Sequence, residues 1–97
     1  LLEILGHTVL QVADGEAALA LLRSTAIDVL VTDIGLPGMS GETLAARARA
    51  ALPSIGVVFA SGQEHASDLA RVVVLRKPYD SEALGHAVRA ARKAVVG

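Results

Sequence analysis

Apolar residues occur along this chain in short runs that alternate with segments of mixed polarity. The runs at 27–32, 55–60 and 72–75 are almost wholly apolar. Continuous runs of this length predict strands that are buried on both faces, as in a parallel sheet. The run at 7–12 is less apolar but contains β-prone residues, and it predicts a fourth strand.

Helices are predicted between and after these strands. Asp14 suits the N-cap of the first helix, and Asp80 or Ser81 suits that of the last. Pro53 ends the second helix, because the residue before a proline is disfavoured in the helical conformation. The expected helical ranges are 16–23, 41–51, 64–70 and the segment from 81 onward.

Strands that alternate with helices indicate an α/β fold, a doubly wound parallel sheet with helices on both faces. One domain is expected to fill residues 1–97. Residues 1–5 are predicted to be the end of a helix, because Gly6 follows their last apolar position. Residues 34–40 contain two glycines and a proline, and are predicted to form a loop.

Composition narrows the classes of function. No apolar run approaches the roughly 18 residues that a membrane span requires, so no membrane association is expected. Cysteine is absent, which excludes disulfides and thiolate metal sites. The net charge is -1 and Phe59 and Tyr79 are the only aromatic residues, which argues against nucleic-acid binding. A cytoplasmic location is the expectation.

Three polar side chains follow three of the predicted strands. Asp33 follows the strand at 27–32, Ser61 follows the next, and Lys77 lies just after the last. Ligand sites of such sheets lie at the carboxyl ends of the strands. A carboxylate can act as a nucleophile, while a hydroxyl and an ammonium can bind a phosphoryl group. The set suits phosphoryl transfer.

Each of these residues has an ordinary structural interpretation when it is taken singly. An Asp after a strand is more often a turn or capping residue, and a Ser-Gly pair is more often a turn. The order along the chain is the stronger signal: strand–Asp, strand–Ser-Gly, then strand–Lys-Pro.

At these positions the sequence resembles the receiver domains of response regulators. The matching segments are residues 33–41 after the Asp, residues 13–19 at a helix start, Ser61-Gly62, and Lys77-Pro78-Tyr79. The resemblance implies a flavodoxin-like sheet with strand order 2-1-3-4-5. It also implies a protein of two-component phosphorelay signalling that is not itself an enzyme.

The resemblance implies roles for five residues. Asp33 would accept phosphate from the phosphohistidine of a histidine kinase or a histidine phosphotransfer domain. Ser61 and Lys77 would contact the phosphoryl group, and Pro78 would follow a cis peptide bond. Mg²⁺ would be held by Asp33 and by the backbone carbonyl of Gly35.

Receivers begin with a strand that ends in an acidic pair, and no such segment precedes Asp33 here. The chain is therefore expected to lack the first strand and the start of the first helix. That strand would lie between those at 7–12 and 27–32, so its loss would leave a gap. Three hypotheses explain the missing strand. The chain is a fragment, or the strand lies in additional upstream sequence. Otherwise the gap is closed by rearrangement, or by a second chain in a homodimer or by strand exchange.

The second half of the chain differs from the usual receiver sequence in two further ways. Lys77 follows Ser61 closely enough to leave room for only a reduced fourth helix, which resembles receivers at the C-terminus of hybrid sensor kinases. Val74 stands where many receivers carry an aromatic residue.

Two other classes of function compete with a phosphoacceptor receiver. A pseudo-receiver would act as an interaction module without phosphorylation. An aspartyl phosphatase would need a second Asp two residues after Asp33, where Gly35 stands, so this class is disfavoured.

Overall fold

A computed structural model of the chain describes residues 1–36, 38–61 and 72–96. Its helices are α1 (Gly15–Ser24), α2 (Gly41–Ala51) and α3 (Ser81–Val96). Its strands are β1 (Leu2–Ile4), β2 (His7–Val12), β3 (Val29–Asp33), β4 (Gly35–Leu36), β5 (Met39–Ser40), β6 (Gly56–Ser61) and β7 (Val72–Arg76).

Five of the strands form one sheet in the order β1-β2-β3-β6-β7. The strands β2, β3, β6 and β7 are parallel, and β1 is antiparallel to β2. The four parallel strands correspond to the four predicted strands. Burial on both faces is confirmed for β3 and β6. It is wrong for β7, which lies at the end of the five-stranded sheet and has Val74 40% exposed. This arrangement confirms the predicted α/β class.

Helices cover both faces of the sheet, which confirms the doubly wound architecture. Alternate residues of β3 face opposite sides. Leu30 belongs to the core beneath α1 and α2, together with Phe59 and Leu44. Val29 and Val31 belong to the core beneath α3. These five side chains are fully or almost fully buried.

The expected gap between the strands at 7–12 and 27–32 is not present. Strands β2 and β3 pair directly, with Val9 opposite Val29 and Leu10 opposite Leu30. Direct pairing satisfies the backbone groups of both strands and buries these four apolar side chains. In this structure the two strands are therefore neighbours, and the alternatives for the missing strand stay predictions.

The prediction that residues 1–5 end a helix is wrong. They form β1 and the start of a tight turn into β2. The turn places Leu5 at φ 52° and Gly6 at φ 81°. Positive φ at both central positions is the geometry of the two-residue hairpin turn whose twist matches the flanking strands. Gly6 therefore serves a hairpin and not a helix end.

The remaining predicted elements agree with the structure to within a few residues. The first and last helices start where expected, with Asp14 and Asp80 as caps. The expected loop at 34–40 contains the short hairpin of β4 and β5. The expected helix at 64–70 falls outside the described residues. None of the helices in the described ranges is both long and apolar enough to cross a membrane.

Candidate functional site

Asp33 is the last residue of β3, at the carboxyl edge of the parallel sheet. It follows Val29 and Val31 on the face that α3 covers, because side chains two residues apart point to the same side of a strand. These valines are buried, whereas the side chain of Asp33 is 45% exposed. The strand therefore fixes the carboxylate at a point where the core opens to solvent.

Lys77 lies just beyond β7 and reaches the same point. Its Nζ forms an ion pair with Oδ1 of Asp33, and the Lys77 side chain is 43% exposed. The two residues come from strands separated in the sheet by β6. The peptide bond between Lys77 and Pro78 is cis, the geometry that the resemblance implies. The structure thus brings together two of the three polar residues identified at the strand ends.

The segment after Asp33 returns close to its own backbone. The amide of Gly41 donates to the carbonyl of Ile34, and a Cβ at Gly41 would clash with the carbonyl oxygen of Asp33. The hydroxyl of Thr32 donates to this same carbonyl oxygen at 3.0 Å. A glycine is therefore required at the start of α2, and the backbone that carries Asp33 is held on both sides.

Asp33 and Lys77 border an open cavity of about 340 Å³ at the carboxyl edge of the sheet. Its polar side chains include Gln11 from β2 and Tyr79 from the segment before α3. The Nε2 of Gln11 donates to the Tyr79 hydroxyl at 3.0 Å. The lining residues are Gln11, Val12, Ala13, Val31, Thr32, Asp33, Ala60, Lys77 and Tyr79.

The sequence alone assigns no role to Gln11, and it identifies Tyr79 only as part of the Lys77-Pro78-Tyr79 motif. One signal in the sequence could have identified Gln11. It is a polar residue on the same face of β2 as Val9, which is buried. Its relevance depends on the direct pairing of β2 with β3, which places Gln11 opposite Val31 and next to the row of Asp33.

Two other predicted site residues have positions but no observed role. Ser61 ends β6, where it pairs with Arg76 of β7. Its side chain lies outside what the structure describes, so phosphoryl contact by Ser61 stays a prediction. Gly35 is exposed in β4 and pairs with Ser40. Coordination of a metal by its carbonyl likewise stays a prediction.

The described residues do not supply a donor set that fits Mg²⁺. This ion requires six oxygen ligands, usually including more than one carboxylate or phosphate group. Asp33 is the one carboxylate among the described residues that line the cavity. Asp14 accepts from backbone amides of α1, and Asp28 accepts from the amide of Thr8. No group of three metal-ligating side chains occurs in the described ranges.

The arrangement can nevertheless bind a negatively charged group that has an electrophilic centre, and the Asp33 carboxylate can form a bond to that centre. The Asp33 carboxylate is exposed enough to attack, and the Lys77 ammonium beside it can stabilise negative charge that develops on the incoming group. The Tyr79 phenol and the Gln11 carboxamide, which belong to residues that line the same cavity, are neutral groups able to donate hydrogen bonds.

Comparisons with known proteins agree on one family. The sequence profile of the response regulator receiver domain matches residues 1–89. The chain is 54% identical over 50 residues to the virulence sensor protein BvgS of Bordetella pertussis, a match that covers 52% of this chain. It is 50% identical over the same length to BvgS of Bordetella bronchiseptica. The match spans only 4% of each BvgS protein.

Solved structures show the same relationship. The receiver domain of the hybrid histidine kinase CckA superposes with a TM-score of 0.67 at 36% identity, covering 82% of this chain and 71% of that one. A signal receiver domain of an HD domain-containing protein from Pseudomonas fluorescens gives a TM-score of 0.71 at 31% identity, covering 82% and 64%. A receiver protein of Sinorhizobium medicae, at 22% identity and a TM-score of 0.69, covers 92% and 94% and supports the fold alone.

Proposed function

This chain belongs to the response regulator receiver domain family, and we propose that it acts in a two-component pathway by accepting a phosphoryl group on Asp33. The observation that carries the proposal is the ion pair between Lys77 and Asp33 at the carboxyl edge of the sheet. An exposed nucleophilic carboxylate with a cation at its side is the pair of groups that phosphoryl transfer needs.

The donor is expected to be a phosphohistidine of a histidine kinase or a histidine phosphotransfer domain. An oxygen of Asp33 attacks phosphorus, a P–O bond forms, and the P–N bond of the donor breaks. The electron pair of that bond stays on the imidazole nitrogen. Lys77 then shifts its ammonium toward the phosphoryl oxygens, where the negative charge now lies.

The named relatives support this choice of partner. BvgS is called a sensor protein, and CckA is called a hybrid histidine kinase. The CckA name places a receiver domain within a histidine kinase, and the BvgS name describes a sensor. The phosphoryl group moves once to Asp33, so we expect no turnover of a substrate and no phosphatase activity from this chain.

The proposal can be tested with phosphoramidate, which contains the P–N bond of a phosphohistidine. The purified chain is incubated with this donor, with and without Mg²⁺, and the intact mass is measured. We expect one added phosphoryl group in the wild type and none in Asp33→Asn. Asp14→Asn is the matched control, because Asn also caps a helix and should leave labelling unchanged.

A second candidate function is favoured by one observation. Within the described residues Asp33 is the single carboxylate that borders the cavity. One carboxylate is not a set of ligands that fits Mg²⁺. A pseudo-receiver, which binds partners without phosphorylation, would have this property. Absence of labelling in the wild type under both metal conditions would overturn the phosphoacceptor proposal in favour of this alternative.

A further inference from the structure

Thr32 directly precedes Asp33 in β3 and is 1% exposed. Its side chain is the only buried polar one among the residues whose burial the structure describes. Thr32 pairs with Phe59 of β6, and alternation along the strands places both side chains on the side of the sheet that α1 and α2 cover. A hydroxyl in such apolar surroundings needs a hydrogen-bond partner, because burying it without one is costly.

The partner of this hydroxyl is the backbone of Asp33. The Thr32 hydroxyl donates to the Asp33 carbonyl oxygen at 3.0 Å. The bond joins adjacent residues of one strand, so it does not depend on which strand lies next to β3. Core packing does not require the hydroxyl, since valine has the same branched shape and is also favoured in strands. The hydroxyl therefore serves the backbone that carries Asp33.

The held carbonyl fixes the peptide group that follows Asp33. Asp33 is the last residue of β3, so the strand does not continue through this peptide. The carbonyl oxygen is contacted by the Thr32 hydroxyl and by the start of α2, where a Cβ at Gly41 would clash with it. Because a peptide group is planar, holding its carbonyl also holds the backbone dihedral angle of Asp33. The rotamers open to the Asp33 side chain depend on that angle.

The Asp33 carboxylate needs such support because its own surroundings are open. Its side chain is 45% exposed, and the Lys77 side chain with which it pairs is 43% exposed. An ion pair with this much exposure does little to hold two side chains in one geometry. Attack on phosphorus requires the carboxylate oxygen to be aligned with the bond that breaks, and small displacements slow such a step strongly.

We propose that Thr32 is a positioning residue for phosphoryl transfer. Its buried hydroxyl holds the peptide after Asp33 and so keeps the Asp33 carboxylate in the orientation from which it attacks phosphorus. The proposal rests on the proposed function, since it requires phosphorylation of Asp33. Thr32 acts through the backbone, because its hydroxyl hydrogen is already used in the bond to the Asp33 carbonyl.

Two substitutions of Thr32 separate positioning from packing. Thr32→Val removes the hydroxyl and retains the branched shape, whereas Thr32→Ser retains the hydroxyl and removes a buried methyl group. Urea unfolding should show a loss of stability in Thr32→Ser and a smaller change in Thr32→Val. The rate of labelling by phosphoramidate should rank the two variants in the opposite order.

Labelling of Thr32→Val should be about tenfold slower than that of the wild type, the change in rate that corresponds to one lost hydrogen bond. Thr32→Ser should be labelled at close to the wild-type rate. The control is Thr25→Val, which makes the same change at the end of α1 and should leave the rate unchanged. A residue that only packs would slow labelling most in Thr32→Ser, where stability falls most.

Thr32→Ala serves if Thr32→Val does not fold. Thr32→Ala and Thr32→Ser both lose the methyl group, but only Thr32→Ala lacks the hydroxyl and should be labelled slowly. A wild type that is never labelled overturns both the positioning role and the proposed function. A wild type that is labelled, while every folded variant without the hydroxyl reacts at least as fast as Thr32→Ser, overturns the positioning role alone.

Discussion

Thr8 and Asp28 bind each other twice at the start of the β2–β3 pairing. The amide of Thr8 donates to the Asp28 carboxylate at 2.8 Å, and the amide of Asp28 donates to the carbonyl of Thr8 at 2.9 Å. Asp28 also accepts the amide of Gly56 through its own carbonyl at 2.9 Å. One residue therefore aligns β2, β3 and β6 at the edge opposite the cavity.

Replacing Asp28 with Ala should destabilise the fold. The amide of Thr8 would lose its side-chain acceptor in a partly buried place, at a cost of about 1–3 kcal/mol. Asp28→Asn retains an acceptor oxygen and should cost less than half as much. Urea unfolding monitored by circular dichroism measures both. Equal, negligible effects would show that β2 does not pair with β3 through this residue.

Removing the ammonium of Lys77 should affect chemistry far more than stability. Both side chains of the ion pair are close to half exposed, so Lys77→Met should change the free energy of unfolding by less than about 1 kcal/mol. Labelling of Asp33 should slow about a hundredfold, because charge on the phosphoryl group is no longer stabilised.

The control for Lys77→Met is Lys93→Met, which makes the same change at an exposed site near the end of α3. Its labelling rate should equal that of the wild type. If both variants label at the wild-type rate, Lys77 has no part in the transfer.

Gly41→Ala tests the close approach that holds the backbone of Asp33. The added methyl group would overlap the Asp33 carbonyl and the backbone of Ile34, and the helix start would have to move. We expect a loss of about 3 kcal/mol, at the upper end for overpacking. Gly35→Ala is the matched variant, because a Cβ there meets no atom within 4 Å. It should unfold at nearly the wild-type urea concentration.

Leu5→Asn should stabilise the chain. Leu5 adopts φ 52°, a conformation that costs most residues with a Cβ about 1–2 kcal/mol and that Asn tolerates well. The side chain is 56% exposed, so little burial is lost on substitution. A gain of about 1 kcal/mol in the free energy of unfolding is expected from an Asn-Gly turn.

Leu2→Asn is the comparison for that substitution, since Leu2 is also exposed but lies within β1. It should be neutral or destabilising, because Asn is disfavoured in strands. Destabilisation by Leu5→Asn would favour the helical conformation of residues 1–5 over the hairpin.

The sequence was sufficient for the fold class and for half of the site. Apolar runs that end in a polar residue identified Asp33 and Lys77, because parallel strands bring their carboxyl ends together whatever lies between them. The contact between these two side chains follows from that geometry. The position of Gln11 could not be predicted in this way, because it depends on which strand lies next to β3.

The error at residues 1–5 has a physical cause. A short apolar segment followed by glycine fits a helix end and a hairpin equally well, since both use positive φ at the glycine. Strand pairing favours the hairpin, because β1 forms hydrogen bonds with the backbone groups of β2 on the side away from β3. The hairpin of β4 and β5 was missed for a simpler reason, since two-residue strands leave no periodic pattern.

The order of the sheet has a consequence for how the chain assembles. Each strand of the five-stranded sheet lies beside the strand of that sheet that precedes it along the chain. Among these five strands none has to enter between two others that are already paired, and the partners lie near one another in sequence. Pairings between near neighbours lose less entropy on loop closure and form faster. During translation each of β2, β3, β6 and β7 can therefore pair with a strand of these five that was synthesised before it.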